Sequence, residues 1–204
     1  MPFGRLRECQ LILMDKIFGL PAHPLLVHIP VVLLPLAAIG VVAMAIRPAW
    51  HARYRWIVLG LGAVGAIGAV LAASAGEELE RRIVAVEGPD AAATWARHAE
   101  LGDTARTTAL IFFVIIAAYV FVPWWLERRK STHGPLTGTG TVGAAAYVDD
   151  RPRPDRNPVR ALRIAVTVLA LLGAAATVRS VVLAGHTGSQ SVWQDYVKKT
   201  GAGG

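Results

Sequence analysis

Apolar residues in this chain come in long runs rather than in stripes. Four stretches, at about 24–46, 56–75, 104–126 and 162–184, approach the roughly 20 consecutive apolar residues that a helix needs to cross a bilayer. None shows the repeating polar face of a helix that lies on a soluble core. The pattern predicts an all-α, polytopic membrane protein with four transmembrane helices. Short connections and an even helix number suggest an up-down-up-down bundle. Small residues recur through the second run (Gly62, Gly65, Gly68, Ala69, Ala72, Gly76) and near Gly173, where they would let a neighbouring backbone come close.

Composition agrees with the pattern. The 204 residues are 54% hydrophobic and only 17% charged, whereas a soluble domain carries about 25% charged residues. Disorder, collagen and coiled coil are excluded as the overall class. The net charge of +7 is sorted by membrane side, which argues against a nucleic-acid surface. More than half of the 21 Lys and Arg fall in the first and third connections, for example Arg47, Arg53, Arg55, Arg128, Arg151 and Arg163. That bias puts these two loops in the cytoplasm and both termini outside a plasma membrane crossed several times.

The domain layout follows. Residues 1–20 read as an interfacial amphipathic segment using Phe3, Leu6, Leu13, Ile17 and Phe18, retained because its apolar core is too short for a signal peptide. Residues 21–195 form the transmembrane domain, with a disordered cytoplasmic loop at about 131–158 and a flexible tail at 196–204. That loop contains Gly138-Thr-Gly140-Thr-Val-Gly143, a literal GxGxxG. It lacks the flanking strand and helix that a dinucleotide site needs, so no nucleotide is expected. The lone Cys9 excludes an internal disulfide, a CxxCH haem attachment and a cysteine-held iron–sulfur cluster.

The histidines carry the chemistry. His51 and His133 fall in cytoplasmic loops and read as solvated surface. His23, His28, His98 and His186 come from distant parts of the sequence, yet alternating topology places all four at the outer face. Neutral imidazole is the commonest metal ligand and an axial haem ligand. Pro24 fits a first helical turn with His23 as its cap, and His28 lies five residues on, about 140° around the helix. If the first and third helices are diagonal, His28 and His98 could sandwich a b-type haem across the core. His186 and His23 would then be alternative ligands or supporting partners. Arg179, inside the fourth run, demands a partner: a haem carboxylate, or the cluster Glu77, Glu78 and Glu80. Arg106 reads as an interfacial anchor. His98 and His186 with Glu77 or Glu78 could instead hold zinc or copper, although no fixed-spacing metal motif is present. The inner halves of the spans hold no ionisable relay, which counts against a pump. No nucleophile–base pair suggests an enzyme.

Three stretches, Ala22-His-Pro-Leu-Leu-Val-His-Ile-Pro30, His98-Ala-Glu-Leu-Gly102 and Ala184-Gly-His-Thr-Gly-Ser-Gln-Ser-Val-Trp193, together resemble the bacterial membrane proteins called domain of unknown function 2231. The chain looks like the form with a Gly-His-Ser/Thr-Gly ending, associated with actinobacteria and their relatives, over about residues 20–195. The ending departs from many members: Gln194-Asp-Tyr-Val-Lys stands where Tyr-x-His-Gly is more usual, which removes one ligand candidate. The resemblance implies the fold, the membrane location and a role for His23, His28, His98 and His186, but no reaction. The expected function is a non-enzymatic redox module that binds haem b and passes electrons to a respiratory or cupredoxin-like partner. The rival is a cofactor-free structural or accessory subunit of a membrane complex.

Overall fold

The computed structural model describes residues 16–17, 20–88, 90–131 and 158–200. The interfacial segment expected over 1–20 and the loop expected over 131–158 lie mostly outside these. Lys16–Ile17 and Leu20–Pro21 pair as a two-residue antiparallel ladder just ahead of the first helix. After it come α1 (Ala22–Leu26), α2 (His28–Ile46), α3 (Ala49–Glu87), α4 (Asp90–Ser131) and α5 (Pro158–Thr200).

α1 and α2 are nearly continuous: Val27 N–H bonds His23 O at 3.1 Å and Val31 N–H bonds Val27 O at 3.2 Å across the junction. Together they make the first of four helices long and apolar enough to cross a membrane, the others being Ala49–Val86, Trp95–Trp125 and Arg160–Trp193. Large apolar side chains point outward along them, including Ile39 (64% exposed), Val114 (64%) and Leu172 (62%). In water those faces would be costly, and in lipid they meet acyl chains. This is an integral membrane protein.

The helices are longer than the apolar runs. α3, α4 and α5 have 39, 42 and 43 residues, about twice the roughly 20 of a single crossing. An apolar window sees only the bilayer-thick part. Beyond it the helix continues in polar sequence, supported by one-turn ion pairs such as Arg81–Glu78 at 2.8 Å and Arg97–Glu100 at 2.8 Å. Gly88 ends α3 at φ 91°, with its N–H on Val84 O at 3.0 Å. At the other end of the chain α5 runs on to Thr200, through the first residues of the stretch read as a tail.

Each span packs on its sequence neighbours, and the fourth returns to the first; the first and third face each other diagonally. Contacts run antiparallel from helix to helix. Gly40, Gly65 and Gly68 of α3's partner seam illustrate this: Gly40 meets Val58, while Leu34 meets Gly65 and Ile29 meets Gly68. The buried core is apolar, built from Leu34, Val41 and Met44 of α2, Phe112, Ile116 and Val120 of α4, and Ala170 and Ala174 of α5. One hydroxyl cluster interrupts it. Thr108 and Ser180 lie 2.6 Å apart, Thr177 donates to Thr108 O at 3.2 Å, and Ser180 donates to Thr177 O at 2.9 Å, so α4 and α5 are pinned by mutually satisfied groups.

His51 is not the solvated surface residue its position suggests. Pro123 lies inside α4 and has no N–H, so the carbonyl four residues back, Tyr119 O, loses its helical donor. His51 Nε2–H donates to that oxygen at 3.1 Å, with the imidazole edge-on to the Tyr119 ring at 5.1 Å. Removing the donor leaves a carbonyl unmatched at a cost of about 1–3 kcal/mol. His51→Ala is therefore expected to lower the unfolding midpoint in detergent. Pro123→Ala, which restores a helical donor, should recover much of that loss in the double variant. Full additivity of the two changes would show that His51 acts elsewhere.

Candidate histidine site at one end of the bundle

The four histidines expected at the outer face do not form one cluster. His23 and His98 meet, with ring centroids 5.9 Å apart and planes at 83°. His28 is exposed on α2, and His186 is exposed on α5. Neither lines the two cavities that His23 and His98 share. The expected pairing of His28 with His98 across the diagonal is thus formed by His23 with His98. His23 turns inward toward Ala72 and His98, while His28 is exposed.

The seating of the two rings follows one rule, repeated. His23 Nδ1 lies 2.8 Å from Ala72 O of α3, and an added Cβ on Gly76 would stand 3.0 Å from that same Nδ1. His98 Nδ1 lies 3.0 Å from Ala184 O of α5, and a Cβ on Gly188 would stand 2.8 Å from its Cε1. In each case the accepting carbonyl belongs to residue i of the neighbouring helix and the glycine is i+4. Helical side chains lean toward the N-terminus, so the residue at i+4 normally shields that carbonyl. Glycine bares it. His23 therefore does not cap its own helix: the cap of α1 is Pro21 with no side-chain bond, and the ring is spent on α3 instead.

Proton bookkeeping follows from these bonds. A backbone carbonyl only accepts, so Nδ1 of each ring carries the hydrogen. In the neutral ring Nε2 then keeps its lone pair. Among the described residues neither Nε2 has a hydrogen-bond partner. A histidine held through Nδ1–H by a carbonyl is the orientation found behind metal-ligating imidazoles.

Two cavities flank the pair. One, of about 200 Å³, includes Gly76, Glu77, Glu80, Trp95 and Asp103 in its wall. The larger, of about 380 Å³, is mostly apolar, with Pro24, Val27, Val181 and Val192, and has Arg106 in its wall. That volume lies within the roughly 300–1,000 Å³ range of small-molecule sites.

The charges sort differently from the expected scheme. Arg106, read as a mere anchor, holds Glu77 at 3.1 Å and Asp103 at 3.0 Å. Glu78 is taken by Arg81 at 2.8 Å and Arg82 at 3.2 Å. Arg179 is exposed and makes no ion pair among the described residues, so the partnership with Glu77 or Glu78 is not formed. Those carboxylates, and His186, do not join the His23–His98 pair. Among the described residues no three His, Cys, Asp or Glu side chains converge as a metal group would require. Sequence reasoning missed Gly188, and read Gly76 only as a packing residue and Arg106 only as an anchor. The signal for the glycines was present as Ala72-Ala-Ser-Ala-Gly76 and Ala184-Gly-His-Thr-Gly188, two copies of Ala-x-x-x-Gly on the helices that receive the histidines.

No curated protein and no solved structure matches the chain. A family model described as a predicted membrane protein (DUF2231) matches residues 19–201, from just before the first span to the end of α5. The chain belongs to that family of membrane proteins.

Proposed function

We propose that this protein is a b-type haem-binding electron-transfer module, with His23 and His98 as the axial pair. The observation that carries the reading is two imidazoles in contact, each with Nδ1–H committed to a carbonyl and Nε2 uncommitted. The size of the donor set supports haem over zinc or copper. Zinc sites usually take three or four protein ligands, whereas a haem iron needs only axial ligands because the macrocycle supplies the rest. The centroid separation of 5.9 Å is short enough for both rings to reach one ion through N–metal bonds of about 2.0–2.1 Å each. Arg106, in the wall of the larger cavity, would meet a cofactor carboxylate only by giving up Glu77 or Asp103. The bound group would supply one-electron chemistry; this chain's residues hold it and exclude water from it.

The basic bias of the first and third connections supports placing the pair on the outer face of the plasma membrane, with both termini outside. The electron partner would then be a respiratory or cupredoxin-like protein on that side, and the protein itself performs no enzymatic step. One observation favours a second reading, a cofactor-free structural subunit. The same Nδ1–carbonyl bonds tie span to span without needing any ligand.

A dithionite-reduced minus air-oxidised visible spectrum of protein made with ample haem separates the two. The haem reading expects a b-type α band in the wild type and in His28→Ala, lost in His23→Ala and in His98→Ala. A flat wild-type spectrum discards haem and leaves the structural reading. A band that survives His23→Ala and vanishes in His28→Ala would restore the pairing of His28 with His98.

A further inference from the structure

The end of the bundle opposite the histidine pair carries a second site. A cavity of about 360 Å³ lies among α2, α3, α4 and α5, with Arg55, Arg163, His51 and Thr167 as its polar wall and Met44, Val122 and Val166 as part of its apolar one. Among the described residues no aspartate or glutamate lines it. Arg55 Nε is buried there without a hydrogen-bond partner among the described residues. A buried guanidinium donor left unmatched is costly, and the Arg55 Nε–H facing this space makes it attractive to an anion.

The level of the cavity identifies the anion's source. Trp50, Tyr54 and Trp56 on α3, and Phe121 and Trp125 on α4, are all between 37% and 51% exposed at this end of the bundle. Exposed Trp and Tyr gather where the acyl region meets the headgroups. Arginines stand over these rings: Arg47 over Trp50 at 5.2 Å, Arg55 over Trp56 at 5.4 Å, and Arg128 over Trp124 at 4.1 Å. The cavity thus has a cationic polar part and an apolar part at headgroup depth. Basic pockets between transmembrane helices of this kind suit acidic phospholipid headgroups.

We propose that this cavity is a binding site for the phosphate headgroup of an anionic phospholipid, with Arg55 as its principal donor. The site is independent of the histidine pair and of any cofactor there. The acyl chains would leave along the outward apolar faces, while His51, already spent on Tyr119 O, forms a rigid wall.

The test is native mass spectrometry of the full chain released from nanodiscs containing phosphatidylglycerol and phosphatidylcholine in equal amounts. The wild type should retain phosphatidylglycerol preferentially. Arg55→Gln should weaken that preference by about fivefold, the effect of one lost cation near the headgroups. Arg55→Lys should keep part of it, and Arg53→Gln, which removes a cation over Tyr54 at the same level but outside the cavity, should lower it clearly less than Arg55→Gln does. Equal retention of the two lipids by the wild type overturns the proposal, whatever the variants do. So does an equal loss of preference in Arg53→Gln and Arg55→Gln, which would mean diffuse surface attraction. Displacement of the lipid by millimolar inorganic phosphate would overturn the lipid assignment in favour of a free anion.

Discussion

Gly68→Val is expected to be among the most destabilising single changes in the bundle, lowering stability by about 1–3 kcal/mol and toward the top of that range. A Cβ at Gly68 would run into Ile29 Cγ2, would stand 2.7 Å from Ile29 Cβ, and would sit 3.2 Å from Pro30 Cδ. These are not the loose ends of flexible side chains. Ile29 Cβ is fixed to its backbone, and the Pro30 ring cannot rotate away. Relief requires α2 and α3 to separate, and the His23 clasp on Ala72 lies one turn farther along the same seam. Gly60 supplies the contrast: nothing lies within 4 Å of its added Cβ. Gly60→Ala should be neutral, or stabilising by up to about 1 kcal/mol through helix propensity. Gly62→Ala should fall between, since its nearest obstacle is the mobile Ile116 Cδ1 at 2.8 Å. Thermal unfolding in one detergent, followed by circular dichroism, ranks the three. A Gly68→Val midpoint at or above wild type would show that the seam yields where it is drawn as rigid.

That ranking also marks how far the sequence could be read. The recurring small residues of the second run were visible, and so was their purpose of close approach. Which glycine faces which neighbour was not, because that depends on the rotation of each helix about its axis. The same gap explains the histidines. Their common level followed from alternating spans, since a helix fixes height at about 1.5 Å per residue. Their pairing depended on which way His23 turned. A local rule made His23 a cap, and a tertiary contact overrode it because Gly76 leaves the Ala72 carbonyl open to the ring. His51 failed for a related reason: its donor role exists only because Pro123, far along the chain, frees Tyr119 O. Arg179 was singled out by cost alone, and cost names a need without naming what meets it. The carboxylates assigned to it went to arginines closer in space.

The second large effect expected is that Gly188→Val reproduces His98→Ala without touching a histidine. An added Cβ at Gly188 would stand 2.8 Å from His98 Cε1, 3.0 Å from Nδ1 and 3.4 Å from Nε2, so it meets the ring along one whole edge. The imidazole must then leave its place, and the 3.0 Å bond from Nδ1 to Ala184 O goes with it. Losing that bond with the ring still present costs about 1–3 kcal/mol, and it frees the tautomer that keeps Nε2 bare. On the proposed haem reading, Gly188→Val should therefore abolish the reduced-minus-oxidised band as fully as His98→Ala, and on either reading it should lower the unfolding midpoint at least as much. Gly185→Ala, with nothing within 4 Å of its Cβ, should do neither. The double variant decides whether the clasp is one device. Removing the His98 ring removes the clash, so His98→Ala with Gly188→Val should cost clearly less than the two single changes added together. Strict additivity would mean that glycine and histidine act separately, and a retained band in Gly188→Val would mean that the seat on α5 is not what aims His98.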